Sequence, residues 1–140
     1  MKTRLSLLLA ITIFIAAGNT LYAQNKESSS DHLVVLWASG DRDVAVKSCL
    51  MYAHAARKYE WFSNVTLIIW GPSARLVVDD DEIRSKVLAM KADGVVLEAC
   101  LACSNMLDVT AELKALGIEV KGMGAPLTEY LKSGAHVLTY

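Results

Sequence analysis

Basic charge is in short supply. Fourteen Lys and Arg face fifteen Asp and Glu, a formal net charge of −1, so nothing in the balance attracts nucleic acid. Long apolar runs are also missing. The best candidate, residues 5–17, falls short of the ~20 residues that span a bilayer. The first cysteine after that run is Cys49, so the lipid-modified cysteine of a lipoprotein has nowhere to form. Cysteine is scarce throughout, at three residues. A structural zinc site asks for four protein ligands, and the pair Cys100-Leu101-Ala102-Cys103 supplies two. There is no internal repeat, no second linker, and no Walker or dinucleotide glycine pattern. Neither a metal nor a cofactor is expected.

What is present begins with a leader. Lys2 and Arg4 precede the apolar run, and Asn19-Thr20-Leu21-Tyr22-Ala23 supplies a polar exit ending in a small residue. This reads as a signal peptide over residues 1–23, although Leu21 is larger than the usual residue two positions before the cut. An uncleaved anchor is the alternative, and the shortness of the run argues for cleavage. Loss of Lys2 and Arg4 leaves twelve basic against fifteen acidic residues, a charge of −3. The polar, serine-rich stretch 24–31 reads as a flexible tether, and 32–140 as one domain with enough apolar surface for a core. The expected product is exported, periplasmic, and free of the membrane once cut.

Within the domain the hydrophobic period alternates. The unbroken apolar run 33–37 is a doubly buried strand. Val46, Cys49, Leu50, Ala53 and Ala56 then recur at helical spacing, with Cys49 as a small buried hydrophobe. A second strand over 65–70 stops at Gly71-Pro72. Asp79 and Glu82 resemble a capping box for a helix with Ile83, Val87 and Met90 inward. A third strand covers 95–99, a helix covers 110–116, and Gly117 takes a left-handed exit. A fourth strand follows over 118–121. Pro126 opens a short last helix, and a fifth strand covers 136–139. Such alternation predicts an α/β three-layer sandwich around a five-stranded parallel sheet, with strand order 2-1-3-4-5.

That order places the reversal between strands one and three, where open parallel sheets bind ligands beyond their carboxyl ends. Ser39, Gly40, Asp41 and Arg42 follow strand one; Cys100 and Cys103 follow strand three. Gly122, Met123 and Gly124 follow strand four, beside the cysteines. Loop amides and a following helix N-terminus favour thiolate there, while Glu98, on the same face as Cys100 by alternation, opposes it. His32 and His136 open strands one and five at the far edge, and His54 lies down helix one. This argues against metal ligation and against a Cys-His hydrolase. A static disulfide and thiol-disulfide exchange are the other readings of the pair. Asp79-Asp80-Asp81 reads as a solvated helix cap, and Trp37 and Trp70 as core at strand ends.

The runs Val95-Val96-Leu97-Glu98-Ala99-Cys100-Leu101-Ala102-Cys103, Glu112-Leu113-Lys114-Ala115-Leu116-Gly117-Ile118-Glu119-Val120 and Met123-Gly124-Ala125-Pro126-Leu127-Thr128-Glu129 resemble the DsrE/DsrF-like family. The resemblance covers the whole mature domain. It implies a flavodoxin-like sheet, assembly into trimers or hexamers, and a persulfide-carrying cysteine matched by Cys100. Cys103 is similar to the second cysteine of a Cys-x-x-Cys subgroup. The function so implied is a sulfur carrier or sulfurtransferase-like relay with donor and acceptor proteins as partners. The departure is the leader, because the best understood members relay sulfur in the cytosol. The alternative is a non-catalytic small-ligand-binding or assembly domain with a structural Cys100–Cys103 disulfide.

Overall fold

The computed structural model describes residues 31–140. The signal peptide (1–23) and the tether, apart from Asp31, lie outside the described residues.

Five strands, all parallel, form one sheet: β1 (His32–Trp37), β2 (Asn64–Ile69), β3 (Val96–Cys100), β4 (Glu119–Lys121) and β5 (His136–Thr139). Helix α1 starts at Arg42–Val44, passes through a π-helical turn, Ala45–Cys49, and continues as Leu50–Lys58. Asp41 caps it, its Oδ1 accepting the Asp43 and Val44 N–H groups at 2.8 and 3.0 Å. The wide turn, closed by Leu50 N–H on the Ala45 carbonyl, lets Ala45 and Cys49 join Leu50, Ala53 and Ala56 on the buried stripe.

Two helices escape the sequence pattern: α2 (Ser73–Asp79) and α4 (Leu101–Met106). Each is about two turns long, at seven and six residues. Because α2 runs on through Asp79, the cap of α3 (Asp81–Ala92) is Asp80, one residue later than expected. Its side chain accepts Ile83 N–H at 3.0 Å. Helix α5 (Thr110–Ala115) ends at Gly117, whose φ of +69° is the left-handed exit expected. Helix α6 (Gly124–Lys132) begins two residues before Pro126.

The α/β class is as expected, but the strand order is β4-β3-β2-β1-β5, not 2-1-3-4-5. With right-handed crossovers, strands that step one way leave their helices on one face, and a reversal sends the next helix to the other. Here α1, α2, α3 and α5 all pack on the face of Leu33, Val35, Leu67, Ile69, Leu97 and Ala99. Helix α6, through Leu127 and Tyr130, packs on the opposite face, against Val34, Ile68 and Cys100, and Cys103 of α4 joins it at the end of β3. The strands therefore run outward from β1 to β4, and β5 returns to the other side of β1. The helix layers are unequal: α1, α2, α3 and α5 cover one face and α6 the other, with α4 at the end of β3.

Candidate functional site

The observed order moves the reversal to β1 and β5, and Tyr140 is bonded across it. The Ala38 and Ser39 N–H groups donate to the Tyr140 carbonyl at 2.8 and 3.1 Å, and Tyr140 N–H donates to Leu36. The predicted cluster therefore separates. Strand β2 lies between β1 and β3, which puts the loop after β1 about 10 Å from the cysteines in the sheet plane. Each residue of that loop has another task. Ser39 Oγ accepts the Asp41 N–H at 3.0 Å, and Asp41 caps α1. Gly40 is pressed against Pro72, whose Cβ would stand 2.9 Å from an added methyl. Arg42 turns to the helical layer, donating to Asp80 at 2.8 Å and also to Glu82.

The other half of the predicted site does come together. Cys100 ends β3 and caps α4, its backbone still extended at φ −73°, ψ 113°. Its sulfur accepts Cys103 N–H at 3.3 Å, so one helical turn holds the two cysteines side by side. Both are free thiols, as is Cys49. The register pairs Cys100 with Lys121, which brings the Gly122-Met123-Gly124 turn alongside. Met123 is buried with Cys100, against Trp70 and the partly buried Cys103. Ser73 fixes Trp70 there: its hydroxyl donates to the Trp37 carbonyl at 2.7 Å, stands 3.0 Å from the Trp70 carbonyl, and accepts Trp70 N–H at 3.0 Å. Trp37 itself faces the helical layer, so the two tryptophans do not share a pocket.

Burial decides the electrostatics of Cys100. The residue is 5% exposed, and loss of water pushes its thiol above the ordinary range. A hydrogen bond with the Cys103 side chain acts in the same direction, and the Cys103 and Ala102 amides act against it. The helix-terminal amides favour thiolate, as the sequence suggested, but they are outweighed. Cys49, shut in the opposite face, is pushed up to about 12.

The pattern did not reveal a polar cluster beneath α6, in the row next to Cys100. Glu98 is 3% exposed; its Oε1 accepts from Lys121 Nζ at 2.7 Å and from the Tyr130 hydroxyl at 3.2 Å. Lys121 also reaches Glu119 at 3.1 Å. His32 bonds Thr66 at 2.9 Å and meets the Tyr130 ring edge-on at 5.3 Å. Desolvation depresses the His32 pKa despite the charge of Glu98. A glutamate inside an apolar strand was the available signal; its partners needed the register. His54 is tied to Asp93 at 2.6 Å in the helical layer, and His136 meets Phe62. Among the described residues, no three His, Cys, Asp or Glu side chains are grouped to hold a metal. A cleft of about 350 Å³ lined by Leu50, His54 and Lys86 lies on the face opposite the cysteines. Among the described residues no helix is long and apolar enough to cross a membrane.

No protein-family model matches the chain, and no curated protein matches it. Among solved structures, a conserved protein of unknown function from Bacteroides thetaiotaomicron, BT1422, shares the fold with a TM-score of 0.77. The two sequences are 35% identical, over 83% of this chain and 100% of that one.

Proposed function

The chain belongs to the family of BT1422; from that premise and its own thiols we propose that it is an exported sulfur carrier of the DsrE/DsrF-like kind. Cys100 accepts sulfane sulfur as a persulfide and Cys103 resolves it. In loading, the Cys100 thiolate attacks the outer sulfur of a persulfide donor, the donor's S–S bond breaks, and the departing thiolate takes up the proton that Cys100 lost. No net oxidation occurs. In release, the Cys103 thiolate attacks Cys100 sulfur, hydrosulfide leaves, and a Cys100–Cys103 disulfide forms, which an external thiol must reduce.

The observation that carries this reading is the single turn that sets Cys103 N–H on Cys100 Sγ at 3.3 Å. Mass spectrometry after exposure to a persulfide donor tests it. Cys100→Ser abolishes loading, whereas Cys103→Ser loads and fails to discharge. Equal loss of loading in both variants, or normal loading in both, overturns the assignment of roles. The burial that raises the Cys100 thiol favours the second reading, a non-catalytic binding or assembly domain with a static Cys100–Cys103 disulfide. Reduced wild-type protein that alkylates at Cys100 yet takes up no sulfur selects it.

Two further proposals accompany the carrier. Export follows from the leader, and N-terminal sequencing of the processed protein is expected to begin at Gln24. Assembly into trimers or hexamers is supported by exposed apolar side chains such as Met106, Leu131 and Val96. Light scattering that finds a monomer at micromolar concentration removes the assembly.

A further inference from the structure

We propose that the cleft between α1 and α3 is a binding site for a small carboxylate with a flat apolar body. The inference goes beyond the carrier reading, because the cleft lies on the helical layer and involves neither Cys100 nor Cys103. Its volume of about 350 Å³ falls at the lower end of small-ligand sites, ~300–1,000 Å³. Buried Leu50 of α1 and Met90 of α3 lie at its base. Val46 adds to the wall from the π-helical turn, an irregularity that recurs at functional sites.

Apolar surface is left open around this cleft. Met51 is 61% and Tyr59 65% exposed, and both line it. The Tyr59 ring stands 5.8 Å from that of Trp61, which in turn stands 5.9 Å from that of Tyr52, so the exposed ring is braced by two others. Open apolar patches rimmed by polar groups mark binding surfaces, and an aromatic wall favours a flat partner. Charge then selects the sign. Lys58, Lys86 and His54 line the cleft and no Asp or Glu does, in a chain with more acidic than basic residues. Two of the three are engaged: His54 Nε2 with Asp93 at 2.6 Å, and Lys86 with Glu82 at 3.6 Å. Lys58 has no ion pair among the described residues. Glu60 and Asp93 share a separate, smaller cleft with Lys58 and Arg57, where the charges balance. Lys58 is therefore the group that meets the ligand's carboxylate, while Tyr59 stacks on its body.

The test is an amide NMR titration of the mature chain with trans-cinnamate, and with trans-cinnamamide, which keeps the flat body and lacks the charge. The expected result is saturable shifts confined to Met51, His54, Tyr59 and their neighbours, with a Kd of about 1 mM or below for the acid. The amide should bind about three- to fivefold more weakly, the worth of one exposed ion pair. Lys58→Gln should bring the acid down to the amide and leave the amide unchanged, and Tyr59→Ala should weaken both. Both side chains are exposed, and the rest of the spectrum reports that the fold is kept. Shifts that fail to saturate, shifts scattered over other surfaces, equal binding of acid and amide, or a Lys58→Gln variant that still prefers the acid overturn the proposal. No thiol takes part, so cinnamate bound by a chain that takes up no sulfur supports the cleft while the carrier reading fails.

Discussion

Lys121 Nζ donates to Glu98 Oε1 at 2.7 Å across the β3–β4 pair, joining the helix-poor face of the sheet to its edge strand. The Glu98 side chain is 4% exposed and that of Lys121 32%, so removing the cation strands a buried carboxylate. Lys121→Met is expected to cost about 2–3 kcal/mol in urea denaturation, below the range for fully buried pairs because Lys121 is partly wet. Adding Glu98→Gln should recover part of the loss, and a double variant less stable than Lys121→Met alone contradicts the pairing. The Glu98 hydrogen bond raises the Lys121 pKa. Its contribution is therefore whole below the unfolded value of 10.5 and fades only as pH climbs above it.

Gly117 sits at φ +69°, where a side chain costs about 1–2 kcal/mol. An added Cβ would also stand 2.4 Å from Lys91 Nζ, which donates to the Gly117 carbonyl at 2.6 Å. Gly117→Ala is expected to lower stability by about that amount, read as a shifted urea midpoint with unchanged slope. A midpoint that does not move refutes the strain.

Short-range pattern made much of this fold legible. The strand runs, the left-handed Gly117 and the buried Cys49 each depend on a few neighbouring residues. Strand order did not, because it depends on which face each helix packs against, and α1 and α6 carry no local mark that they lie on opposite sides. Half of the candidate site fell with it: Cys100 and Met123 converge, while Ser39 and Arg42 were placed beside them only by the wrong order. Glu98, Lys121 and Tyr130 stand 23 and 32 positions apart, distances at which no periodicity speaks.

Arg42 tests that correction directly. Its guanidinium is held by Asp80 and Glu82, which raise its pKa, and it is exposed and away from β3. Arg42→Ala should leave both Cys100 alkylation and any sulfur loading at wild-type rates, with a small change in stability. A large drop in the Cys100 rate would restore the loop after β1 to the thiol site.

Cys49 makes the alkaline limb of stability measurable. It is fully buried on the helical layer, and desolvation raises its thiol from 9.0 to about 12. In the unfolded chain the thiol ionises from about pH 9, while in the native chain it stays protonated. Its stabilising contribution is thus complete below 9 and is lost as pH rises toward 12, at about 1.4 kcal/mol per pH unit once the unfolded thiol is ionised. Tyr130, Tyr140 and Cys100 are also raised by burial and steepen the same limb, so the thiol is isolated by difference. Cys49→Ala should be slightly less stable at pH 7 and fall less steeply from pH 9 to 11. Urea denaturation at half-unit steps of pH reads both slopes, and parallel limbs in the two proteins would show that Cys49 ionises as freely folded as unfolded.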